Sequence, residues 1–163
     1  MMLKFRYIVM LVCLTGCFAA CNKNEAFETY DPAPQFTIDT TAIRAFINAN
    51  NIQAVKDQSG VFYQIIEPGT GSISYTNNTR ITADYEGRLL NGTIFDSSKG
   101  NPITFTLGGI IAGWQIGIPK IQKGGKIRLI IPSYYGYGNT AQGTSIPANS
   151  ILDFNITLTE VSN

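Results

Sequence analysis

The sequence predicts an α+β fold, a mostly antiparallel β-sheet with one short helix, preceded by a short N-terminal helix. Three observations predict it. Leu152, Phe154, Ile156 and Leu158 alternate with Asp153, Asn155, Thr157 and Thr159, and Ile103, Phe105 and Leu107 alternate with Thr104 and Thr106, the period of a half-buried strand. Turn clusters, Pro68-Gly69-Thr70-Gly71 and Asn91-Gly92, separate the extended runs. In the region that carries these strands, only residues 110–118 look like a short helical turn, cut off by Pro119.

At 163 residues and 44% hydrophobic, the chain has material for one ordinary domain plus a tail. No apolar run approaches the ~20 residues of a membrane span. Twelve Lys and Arg stand against eleven Asp and Glu; without Lys4 and Arg6 the balance is ten against eleven. Such a chain offers no basic surface for a phosphate backbone, so nucleic acid is not an expected partner.

Residues 1–21 read as an export signal, with Lys4 and Arg6 ahead of a short apolar run. All three cysteines, Cys13, Cys17 and Cys21, lie there, so the folded part has no disulfide framework. Leu14-Thr15-Gly16-Cys17 resembles a bacterial lipobox, whose cysteine is lipidated. Cys21 competes with it, because it stands where apolar sequence gives way to Asn22-Lys23-Asn24-Glu25. Either Cys17 or Cys21 is expected to carry acyl chains that hold the protein to a membrane without a spanning helix.

Residues 22–35 are polar and contain Pro32 and Pro34, which reads as a tether. A short amphipathic helix follows, capped by Asp39 or Thr40, with Ile43, Phe46 and Ile47 on one face and Asn50-Asn51 as its stop. Its apolar face is expected to pack on the main domain, a second copy being the alternative. From residue 59 the period changes to two. Residues 61–67 and 80–90 form the first strands, and residues 126–131 form another that Pro132 stops.

The sequence contains no histidine, which removes Ser-His-Asp and Cys-His chemistry and the usual nitrogen ligands of zinc or haem. No metal or other cofactor is expected. No phosphate-binding glycine motif stands at a strand-to-helix turn. Asp84 and Glu86 point to one strand face, as a glycosidase pair would, but exposed polar positions explain them equally well. Lys120, Lys123, Lys126 and Arg128 form a basic run, read as a solvated face.

Aromatic and aliphatic residues beside turns carry the remaining signal. In order they are Tyr85-x-Gly87, Gly92-Thr93-Ile94-Phe95-Asp96-Ser97-Ser98, Phe105-Thr106-Leu107-Gly108, Ile110-Ile111-Ala112-Gly113-Trp114, Tyr137-Gly138 and Ile146-Pro147-Ala148-Asn149-Ser150-Ile151-Leu152-Asp153-Phe154. The series resembles the FKBP-type peptidyl-prolyl isomerases over residues 59–161. The resemblance implies a curved antiparallel sheet wrapped around one short helix, with a shallow apolar pocket for a proline ring. It implies Trp114 as the floor, Tyr85, Phe95, Ile110, Ile111 and Phe154 as walls, Tyr137 as hydroxyl donor, the Ile111 N–H as a second donor, and Asp96 at the edge. Ile146 would line a flap and Ile103 a further wall.

In catalytic terms the expected residues are Asp96, Tyr137, Phe95 and Trp114; Tyr85, Ile103, Ile110, Ile111, Ile146 and Phe154 would bind substrate. Three departures from the family are visible. Ile103 replaces a frequent aromatic residue, Lys99-Gly100-Asn101 is shorter than in small cytosolic relatives, and Gln142 stands where those carry histidine. They bear on substrate preference and on affinity for macrolide inhibitors, which the resemblance adds as ligands.

The expected organisation is a lipoprotein signal region (1–21, cleaved before Cys17 or Cys21), a tether with its helix (22–58) and an isomerase domain (59–163). The expected function is isomerisation of Xaa-Pro bonds in exported proteins by a lipid-anchored, periplasm-facing or surface protein. A catalytically weak chaperone or adaptor that binds proline segments is the alternative.

Overall fold

The strand over residues 126–131 is apolar at four of its six positions, more than a sheet with one wet face requires. A computed structural model, which describes residues 31–163, shows why: a helix covers each face of that strand. The expected signal region and the lipidation at Cys17 or Cys21 lie outside the described residues.

In chain order the elements are α1 (Ala33–Ala49), β1 (Val55–Lys56), β2 (Phe62–Glu67), β3 (Arg80–Leu89), β4 (Ile94–Ser97), β5 (Ile103–Thr106), α2 (Ala112–Gly117), β6 (Lys126–Ile131) and β7 (Leu152–Ser162). Among the described residues the strands make one antiparallel sheet in the order β1-β2-β6-β7-β3-β4, with β5 also paired to β3. None of the described helices is long and apolar enough to cross a membrane.

Alternation along β6 sorts its side chains between two cores. Ile127, Leu129 and Ile131 join Ile81, Trp114, Ile118, Leu152, Phe154, Ile156 and Leu158 on the α2 side. Ile130, paired directly with Phe62 of β2, faces the other way and packs with Ile43, Ile47 and Ile52. Helix α2 lies flush on β6 because it carries glycine four residues apart. A Cβ on Gly113 would stand 2.4 Å from Ile131 Cγ2, and one on Gly117 2.4 Å from Leu129 Cδ2. Trp114 is thereby held low between sheet and helix, 4% exposed.

Three expectations are corrected. Helix α1 begins at Ala33, not at Asp39 or Thr40, and residues 33–35 are helix rather than tether. Proline is tolerated in a first turn, where its missing N–H has no helical partner to lose, and Asp31 Oδ1 accepts the Ala33 N–H at 2.9 Å. Asp39 therefore sits inside the helix, 1% exposed. Pro119 does not cut off the helical turn: α2 ends at Gly117, and a 3-10 turn, Ile118–Lys120, carries the chain through the proline. In β7 the second face is not wholly wet, since Asp153 is buried and receives two bonds from Arg128, Nε to Oδ1 at 2.8 Å and Nη2 to Oδ2 at 2.7 Å. The stop at Asn50-Asn51 is as expected, with Asn51 in the left-handed region at φ 52°.

Candidate active site

Five elements and two loops converge on a cavity of about 280 Å³ on the α2 side of the sheet. Strand β3 brings Tyr85, β4 brings Phe95 and Asp96, β5 brings Phe105, β7 brings Phe154 and α2 brings Trp114. Gly109, Ile110 and Ile111 approach from the turn ahead of α2, and Tyr137 from the loop after β6. The aromatic rings meet edge to face around the indole, with centroids 5.4 Å from Tyr85, 5.8 Å from Phe105 and 5.3 Å from Phe154. Phe95 packs on Phe154 at 5.4 Å. That last contact needs Gly87, where an added Cβ would lie 2.6 Å from Phe154 and 2.7 Å from Phe95.

Polar groups are few and each has a distinct state. The Tyr85 hydroxyl donates to Asp96 Oδ2 at 2.7 Å. Burial, and then the hydrogen bond to Asp96, hold the Tyr85 phenol well above the ordinary tyrosine range, so it stays a donor. The Trp114 indole N–H is buried with no hydrogen-bond partner among the described residues. Tyr137 is 38% exposed at the rim.

Behind the pocket, the backbone of Tyr85 is pinned by one buried serine. Ser98 Oγ accepts the Tyr85 N–H at 2.9 Å, the Ser98 N–H donates to the Tyr85 carbonyl at 3.0 Å, and the Ser98 hydroxyl donates to Asp84. Glu86 pairs with Arg88. Asp84 and Glu86 share the wall of a separate polar cavity with Ser97, Lys99, Gly100, Asn155 and Thr157, and each carboxylate has a structural partner, Ser98 for Asp84 and Arg88 for Glu86. The basic run is neutralised residue by residue: Lys120 on Asp57 at 2.6 Å, Lys123 on Glu160 at 2.6 Å, Lys126 on Glu67 at 2.7 Å and Arg128 on Asp153. Among the described residues no group of three His, Cys, Asp or Glu side chains is arranged to hold a metal.

The structure therefore brings together Tyr85, Phe95, Asp96, Ile110, Ile111, Trp114, Tyr137 and Phe154. Two expected pocket residues stand apart from that lining. Ile103, at the far end of β5, is 41% exposed, and Ile146 is 7% exposed within the core, where Gln142 N–H donates to its carbonyl at 2.8 Å to close the flap turn. Phe105 was not assigned to the pocket from the sequence, although its position two residues beyond Ile103 puts both on one strand face.

Comparison with known proteins places this geometry. The family model for FKBP-type peptidyl-prolyl cis-trans isomerases matches residues 71–159. The chain belongs to this family. It is 50% identical over 110 residues to the FKBP-type peptidyl-prolyl cis-trans isomerase FkpA of Buchnera aphidicola from Schizaphis graminum, an alignment covering 66% of this chain and 43% of that protein. The crystal structure of FkpA from Escherichia coli superposes with a TM-score of 0.69 at 33% identity, covering 81% of this chain and 61% of that one. A peptidyl-prolyl cis-trans isomerase from Pseudomonas syringae gives 0.66 at 30% identity, covering 83% and 98%. The chain thus spans less than half the length of the curated FkpA relative. The family's curved sheet around a short helix is the architecture described above, and in this chain α1 stands ahead of it.

Proposed function

We propose that the chain is a peptidyl-prolyl cis-trans isomerase that acts on Xaa-Pro bonds of exported proteins without covalent chemistry. The observation that carries the reading is the apolar cavity floored by Trp114 and walled by Tyr85, Phe95 and Phe154, with Asp96 and Tyr137 as its polar side chains beside the Tyr85 hydroxyl.

Rotation about an Xaa-Pro C–N bond is slow because it breaks amide resonance, at a barrier of ~18–20 kcal/mol. The planar amide is more charge-separated than the twisted one. An apolar, water-poor cavity disfavours the planar ground state relative to the twisted transition state. Trp114, Phe95, Phe154 and Phe105 supply that surface. Tyr137 is assigned to donate its hydroxyl to a substrate carbonyl and the Ile111 backbone N–H to bind another. Ile110 and Tyr85 hold the proline ring's flanks, and Ile103 and Ile146 bear on the residues beside it. Asp96 orients Tyr85 and sets the field at the pocket edge; no proton is transferred, so it needs no base character. Lowering the barrier by ~6–7 kcal/mol corresponds to roughly 10⁴- to 10⁵-fold.

Residues 1–21 serve as a lipoprotein signal in this reading, with Cys17 or Cys21 lipidated and the protein anchored to a bacterial membrane, facing the periplasm or the cell surface. Residues 22–58 are tether and helix, and residues 59–163 the isomerase domain. Proline-containing polypeptides are the substrates, and macrolides that mimic them are expected inhibitors.

The test is isomerisation of a Leu-Pro or Phe-Pro peptide by the detergent-solubilised chain, beside Asp96→Ala and Tyr137→Phe. Turnover that falls in both folded variants supports the enzyme. Peptide binding without acceleration would replace it with the proline-segment chaperone or adaptor.

A further inference from the structure

We propose that helix α1 positions Tyr137, acting through a buried clamp between Asp39 and Ser133; the proposal rests on the isomerase reading above. Asp39 lies 94 residues from Ser133 in sequence and outside the 71–159 segment that matches the family. Both residues are 1% exposed. Asp39 Oδ2 accepts the Ser133 N–H at 2.8 Å and the Ser133 hydroxyl at 2.6 Å, while Oδ1 accepts Gln35 Nε2 at 2.7 Å. A buried carboxylate with three donors has one arrangement open to it, because moving away strands donors and acceptor together.

Ser133 then passes that position to the pocket. Its carbonyl accepts the N–H of Gly136 at 2.9 Å and of Gly138 at 2.8 Å. The two neighbours of Tyr137 thus hang from one oxygen. The Gly138 carbonyl in turn receives the Asn149 N–H at 2.8 Å. Tyr137 makes no side-chain hydrogen bond among the described residues, so its hydroxyl is aimed by this backbone. One turn before Asp39, Phe36 sets its ring edge-on to Tyr134 at 6.4 Å and Tyr135 at 6.0 Å. Helix α1 therefore grips the Tyr137 loop at two points, from the opposite side of the sheet to α2. Asp39 is a positioning residue; it touches no substrate.

The decisive measurement is a double-mutant cycle on kcat/KM for a Leu-Pro peptide, using the full chain in detergent micelles. Asp39→Ala is expected to lower kcat/KM about fivefold or more, with the same division between kcat and KM as Tyr137→Phe. In the Tyr137→Phe background the same substitution should change kcat/KM less than about twofold. Asp39→Asn keeps an oxygen for Ser133 and turns its amide to Gln35, and is expected to retain at least about half the activity. Ser133→Ala, which removes only the hydroxyl, decides the matter if Asp39→Ala does not fold; its loss should also vanish in the Tyr137→Phe background. Equal losses in both backgrounds, or wild-type kcat/KM from folded Asp39→Ala, would overturn the proposal while leaving the isomerase reading intact. No turnover from the folded wild-type chain would defeat that reading and take this inference with it.

Discussion

Tyr85 and Asp96, eleven residues apart on neighbouring strands, are joined by a 2.7 Å hydrogen bond from phenol to carboxylate at the edge of the aromatic pocket. Tyr85→Phe keeps the ring against Trp114 and removes only the donor. A hydrogen bond to a charged acceptor contributes about 1.5–3 kcal/mol; part of that is regained from water at this partly exposed carboxylate. Activity toward a Leu-Pro peptide is expected to fall about threefold to tenfold with the melting temperature little changed, checked by kcat/KM beside a thermal melt.

Trp114 is the sole tryptophan of the sequence and lines the cavity. Filling the cavity with a proline peptide should change its emission, and Trp114→Phe should abolish the signal. A proline peptide whose binding is seen by calorimetry but leaves that emission unchanged would mean that the peptide binds elsewhere.

Helix α2 tolerates nothing larger than glycine where it meets β6. Gly113→Ala drives a methyl into Ile131, and Gly117→Ala drives one into Leu129. Overpacking of this kind costs about 1–3 kcal/mol. Denaturant unfolding should show that loss, and because Trp114 rides on the displaced helix, activity should fall with it.

The ion pair between Lys120 and Asp57 makes an acid-dependent contribution to stability. The Lys120 ammonium, with help from the Ser59 N–H, holds the Asp57 carboxyl down to about 2 from its ordinary 3.8. A carboxylate whose folded pKa is depressed stabilises the fold above its unfolded pKa, and that stabilisation is lost as pH falls through the folded one. Partial solvent exposure reduces it to about 1 kcal/mol. The stability difference between wild type and Asp57→Asn, measured by urea unfolding, should be constant from pH 7 to 5, fall from about pH 4 and be lost only below the folded pKa of about 2.

The alternating apolar residues of β7 reveal its buried face in the sequence because a strand's period is two and one face meets the core. Strand β3 has the same legibility, ending at Asn91-Gly92. Helix α1 was harder to read, since Pro32 and Pro34 look the same in a tether and in a first turn, and aspartate is a good cap. What separates these readings is Ser133, whose distance along the chain puts it beyond any periodicity. Phe105 was hidden differently: β5 is short and at the sheet's side, so Ile103 and Phe105 share a face while only one of them reaches the cavity. The eight pocket residues that do converge were legible through their motif order, not through spacing within any one element.

Each cation of the Lys120, Lys123, Lys126 and Arg128 run has an acidic neighbour within hydrogen-bonding distance. Fields that cancel so locally do not reach out to draw in a charged polypeptide. A proline peptide therefore gains no steering from this run, so replacing both members of the Lys123–Glu160 or the Lys126–Glu67 pair by neutral residues should leave the rate of turnover and its response to added salt little changed.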